Sequence, residues 1–72
     1  MKKTIYSAGH KALVSRLVKA RKELGLKQVD VAKLLHRTQS YVSKIEDGQR
    51  RVDIIQLKEF AKIYSKNLDY FL

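Results

Sequence analysis

Seventy-two residues suffice for one domain, and a chain of that size buries only about 60% of its unfolded surface. Sixteen Lys and Arg against seven Asp and Glu give a formal net charge of +9 and a pI of about 10.1, in the range of nucleic-acid binders. The absence of Cys excludes disulfides and thiolate metal sites and fits a reducing cytoplasm, the expected location, and no apolar run approaches a membrane span or the core of a signal peptide.

Residues 1–9 hold two lysines, a few β-forming residues and Gly9, and read as an N-terminal arm ahead of a helical domain over residues 10–72. Ser7 can cap the first helix. A basic arm can reach a second DNA groove, although a frayed terminus is the commoner outcome. The first helix is expected over residues 10–24, where Leu13, Leu17, Ala20 and Leu24 recur on one stripe with Val14 and Val18 beside it. Such a basic amphipathic helix could lie on a membrane surface. It carries no Trp or Phe, however, and the amphipathic helices that follow need a partner, so core packing is the better reading. Gly25 supplies a left-handed C-terminal cap, and Leu26 is expected to pack back on the core.

Residues 28–48 hold two short helical patterns joined by a minimal break. Val31, Ala32 and Leu35 mark the first pattern, with Ala32 allowing close approach; Val42 and Ile45 mark the second. Thr38 is expected to cap the second helix through its hydroxyl, and Gly48 to end it. Gln39, Ser40, Ser43, Lys44 and Asp47 form its other face, with amide, hydroxyl and ammonium groups suited to reading a polar surface. The pattern predicts a helix-turn-helix unit with residues 39–47 entering the DNA major groove. The charge distribution agrees. Residues 1–51 carry thirteen basic and four acidic side chains, whereas residues 52–72 carry three of each.

Beyond the short basic stretch Gln49-Arg50-Arg51, Asp53 and Gln56 have capping-box spacing. Ile54, Leu57, Phe60, Ala61 and Tyr64 predict a fourth helix with one apolar stripe. Asn67 can cap a last turn, residues 68–72, whose Leu68, Tyr70, Phe71 and Leu72 should be docked on the chain's own core or on another subunit. The expected class is all-α, with five helices.

These residues resemble the phage-repressor, Cro-like (XRE-type) helix-turn-helix family over about residues 13–72. The resemblance rests on Leu17, Arg21, Leu24-Gly25-Leu26, Gln28, Val31-Ala32 and Leu35, on the run from Gln39 to Gly48, and on Ile54, Leu57, Phe60-Ala61, Leu68-Asp69 and Phe71-Leu72. It implies a compact five-helix bundle of the lambda-repressor-like DNA-binding type, without enzymatic activity, forming a homodimer on a near-palindromic operator. Carried onto this chain, Gln39, Ser40, Ser43 and Lys44 would read bases, although Lys44 could reach a phosphate instead. Gln28 would bind a phosphate at the start of the second helix, and Tyr41 would touch the DNA backbone through its hydroxyl. Arg21 and Glu46 would form a structural ion pair that also brings Arg21 near phosphate. The chain departs from the family at three positions. His36 stands where Gly is usual, so either it takes a left-handed conformation or the turn differs. Lys27 replaces a capping residue, at a cost of about 1 kcal/mol that a Lys27–phosphate contact could offset. Val52 replaces a frequent Pro.

Arg37, Arg50 and Arg51 could be ordinary surface charge, but they flank the reading helix and, with Thr38 and Gln49, are assigned to phosphate. His10 and His36 lack a second ligand at metal spacing, so no metal or cofactor is expected. The carboxylates are scattered, and no phosphate loop or nucleophile–base motif is present, so an enzyme is not expected. The resulting reading is a sequence-specific regulator of transcription, a repressor, bound to double-stranded DNA. The alternative is a protein-interaction module, such as the antitoxin partner of a toxin or a coactivator bridge, using the C-terminal aromatic patch.

Overall fold

The structure, a computed structural model, describes residues 8–72. Five helices follow in order: α1 (Ala8–Glu23), α2 (Gln28–Leu35), α3 (Gln39–Glu46), α4 (Ile54–Tyr64) and α5 (Leu68–Phe71), with no strand among the described residues. α2 and α3 pack on each other; α1 runs against α3, α4 and α5, and α2 also meets α4. The arm expected over residues 1–9 lies mostly, and the cap expected at Ser7 wholly, outside the described residues. α1 begins two residues before the expected boundary and takes in Gly9.

The core draws on every helix: Leu17 and Ala20, Val31 and Ala32, Tyr41, Val42 and Ile45, Leu57, Phe60, Ala61 and Tyr64, and Phe71. Leu26 packs against it as expected. Two stripe residues do not join. Leu24 is 51% exposed because it falls past the end of α1, where the chain turns away from the helical stripe. Ile54 is 50% exposed because it opens α4, and a Cβ tilted toward the helix start carries it beyond the layer of Leu57 and Phe60.

The caps hold the helices at their angles. Thr38 Oγ1 accepts from the Tyr41 N–H at 3.2 Å. At α4 the box is reciprocal: Asp53 Oδ1 accepts from the Gln56 N–H at 2.7 Å, and Gln56 Oε1 from the Asp53 N–H at 3.0 Å. Val52, just ahead, packs on the core and staples this end. Lys27 takes the N-cap position of α2 with an ammonium that cannot accept a hydrogen bond, so only half a box forms, Asp30 Oδ2 accepting from the Lys27 N–H at 2.8 Å. Asn67 occupies the N-cap position of α5, but its side chain makes no capping bond, contrary to expectation.

Four helix ends close by the same paired bonds, in which the left-handed residue and its successor donate to the last turn. At α2 these are His36 N–H to Lys33 O at 3.1 Å and Arg37 N–H to Ala32 O at 2.9 Å. Gly25 and Gly48 sit at two of the ends with φ of 70° and 79°. His36 and Ser65 take the same conformation without glycine's freedom, at φ 58° and 56°. Of the two ways to accommodate His36, the chain therefore keeps the turn and places histidine in the left-handed region. A β-carbon costs about 1–2 kcal/mol there, and two main-chain bonds at the turn oppose that cost.

Candidate nucleic-acid interface

α3 has two unlike sides. Tyr41, Val42 and Ile45 are buried, while Gln39, Ser40, Lys44 and Asp47 are exposed and Ser43 is half-buried. At about 100° per residue, the five polar positions fall within one arc of about 140°. A helix with its side chains is about 10–12 Å across, which matches a major groove about 12 Å wide.

The orientation of α3 is tied to α1 and α2 by a single carboxylate. Arg21 Nε donates to Glu46 Oε2 at 2.7 Å and Arg21 Nη2 to Oε1 at 3.0 Å. Arg21 Nη1 donates to the Leu26 carbonyl at 2.8 Å, and Gln28 Nε2 to Glu46 Oε1 at 2.9 Å. The Arg21 and Glu46 side chains are only 12% and 5% exposed. Hydrogen bonding to Glu46 holds the Arg21 pKa above its ordinary value despite burial. This geometry qualifies two expected roles. All three guanidinium nitrogens of Arg21 are engaged within the chain, which makes it a strut first, with one N–H left on each terminal nitrogen. The Gln28 amide already donates one N–H to Glu46, and its neighbour Lys27 is exposed at the start of α2.

Tyr41 is revised as well. Its hydroxyl is buried and unavailable to a DNA backbone. Burial pushes its pKa up, and the nearby Arg37 and Arg50 only partly oppose that shift. Its ring instead carries both of those arginines, each guanidinium carbon 4.9 Å from the centroid. Arg37 and Arg50 share a depression of about 440 Å³ with His36, Thr38, Ser40 and Lys44 at the start of α3. The four-residue spacing of Arg37 and Tyr41 hints at one of these contacts; nothing local hints at Arg50. Gln49, beside them, donates weakly to Asp47 Oδ2 at 3.4 Å, and Arg51 is exposed.

The C-terminal residues separate. Phe71 is 1% exposed within the chain's own core, Leu68 and Tyr70 pack against that core, and Leu72 is 73% exposed. Phe71 therefore cannot belong to a dimer face. Lys66 sits 4.5 Å above the Tyr70 ring and 3.5 Å from Glu23, clasping this end to α1. A groove of about 770 Å³ runs along α1 past Val14 and Val18 to Glu46 and Gly48. No helix among the described residues is long and apolar enough to cross a membrane.

Two short helices crossing at a tight turn, the second buried on one side and polar on the other, define a helix-turn-helix domain. A helix-turn-helix family model matches residues 17–71, and the chain belongs to the XRE-type, Cro/C1-like family of DNA-binding transcription regulators, which is not an enzyme family. A comparison with curated proteins finds no match.

Proposed function

We propose that the chain is a sequence-specific repressor that binds double-stranded DNA with α3 in the major groove. The observation that carries this reading is the polar arc of exposed Gln39, Ser40 and Lys44 with half-buried Ser43, and Arg37 and Arg50 flanking it at one depression. Gln39, at the first turn of α3, pairs with adenine through its amide, and Lys44 donates to guanine O6 and N7. Ser40 and Ser43 supply hydroxyls to neighbouring base edges. Lys27, Arg37, Thr38, Gln49, Arg50 and Arg51 hold phosphates and set the register. The chain acts as a homodimer on a near-palindromic operator, its two reading helices about 34 Å apart to match one helical turn of DNA. Occupying a promoter in this way blocks transcription without any further activity.

Selection of bound duplexes from a random pool tests this reading. The expected result is one enriched palindrome whose half-site centres lie about one helical turn apart. A pool that stays random would reject specific recognition, and a single unrepeated half-site would reject the dimer. The protein-module alternative is weakened because Phe71, part of the patch meant to carry it, lies inside the core.

A further inference from the structure

Three separate parts of the chain meet at the ring of Tyr41. Arg37 comes from the turn between α2 and α3, Tyr41 from the first turn of α3, and Arg50 from the loop beyond Gly48. Each guanidinium lies within the distance at which an aromatic ring holds a cation. Tyr41 is 6% exposed, so the ring is a fixed seat for two otherwise flexible side chains. Neither arginine uses an N–H donor on another described residue, since ring contacts leave the donors unspoken for. Two like charges held beside one ring also repel, and an anion between them relieves that repulsion. Thr38 and Ser40, at the start of α3, line the same depression.

We propose that Tyr41 gathers Arg37 and Arg50 into a single phosphate cradle, in which both guanidiniums grip one phosphodiester group at the start of α3. Tyr41 is then a positioning residue that touches no DNA. The cradle's role on DNA rests on the DNA-binding reading above; its affinity for phosphate does not. The two arginines act as a unit, so losing the second after the first changes little. Independent surface contacts behave otherwise, because their losses multiply.

Anisotropy of a labelled random-sequence duplex, titrated at several salt concentrations, measures this. Arg37→Ala and Arg50→Ala should each weaken binding about tenfold, and the double variant little more than either. In all three the slope of log K against log salt should fall by about 0.9 per bound protomer, the share of one phosphate. Tyr41→Phe keeps the ring and should bind like the unaltered chain; Tyr41→Leu, checked for folding by circular dichroism, should bind like the double variant. A double variant weakened about a hundredfold, with a slope change of about 1.8 per bound protomer, would overturn the proposal. So would a folded Tyr41→Leu that binds normally. Titration with inorganic phosphate separates the cradle from the DNA reading: the Nε–H resonances of Arg37 and Arg50 should shift with one common midpoint. If the chain fails to bind duplex but both resonances follow phosphate together, the DNA reading falls and the cradle stands. No shift, or two distinct midpoints, rejects the cradle whatever the duplex does.

Discussion

Arg21 of α1 and Glu46 of α3 form a bidentate ion pair, 2.7 and 3.0 Å between paired atoms, across twenty-five residues of sequence. The same carboxylate takes a third bond from Gln28 at the start of α2, so one side chain sets the mutual angle of three helices. Removing its charge leaves a largely buried guanidinium without its counter-ion. Glu46→Gln should cost about 2–3 kcal/mol, part of the penalty for orphaning a buried charge. Urea denaturation will show it as a lower midpoint at unchanged slope, and a loss under 0.5 kcal/mol would mean that the pair is ordinary surface charge.

The reading helix should respond base by base. Gln39→Ala and Lys44→Ala are each expected to cost about 1–3 kcal/mol on the selected duplex and to relax preference at their own positions. Competition with single-base variants of the duplex is the measurement. Uniform weakening across all sequences would reassign that residue to phosphate.

Lys27 is expected to couple stability to binding in opposite directions. It holds the N-cap of α2 without an acceptor, while Asp30 supplies half of a capping box. Lys27→Ser should complete the box and add about 0.5–1 kcal/mol to stability, and should weaken duplex binding by removing a phosphate donor. Thermal unfolding and anisotropy on the same sample test both. Tighter binding would show that Lys27 does not face DNA.

His36 sits exposed in the left-handed region at φ 58°. His36→Gly removes a steric cost of about 1–2 kcal/mol but frees the unfolded chain by about 0.5–1 kcal/mol. The net expectation is a gain of about 0.5–1 kcal/mol, or a few degrees in Tm for a domain of this size. A lower Tm would show that the histidine side chain makes a compensating contact.

Tyr64 gives the pH dependence. Burial, reinforced by Glu46, pushes its hydroxyl pKa far above the ordinary 10, with Arg21 opposing. Above pH 10 the unfolded chain sheds this proton while the folded chain keeps it, so unfolding gains and stability falls as pH rises. Below pH 10 both states are protonated and the group contributes no slope. Tyr64→Phe should flatten the alkaline decline relative to the unaltered chain, which a set of urea curves from pH 9 upward will show. Identical declines would assign the loss to lysines.

Features that act over one or two helical turns could be read from residue order. Thr38 and the Asp53–Gln56 box were legible because caps need an acceptor within three residues of a donor. Gly48 marked the end of α3, and the spacing of Val42 and Ile45 marked its buried side. His36 was recognisable as the anomaly, but not its resolution, because the choice between a strained histidine and a different turn depends on how α2 meets α3. Leu24 and Ile54 kept the helical period yet ended up in solvent, since periodicity says nothing about where a neighbouring helix stops. The donors of Arg21 and the Gln28 amide had their directions set by Glu46, far along the chain, and the Tyr41 hydroxyl was buried by packing. Arg37 and Arg50 reach one ring for the same reason. Composition and local pattern thus establish which residues are available to meet phosphate and bases. Only the packed bundle selects among them, because burial and long-range hydrogen bonds consume some donors and leave the others facing out.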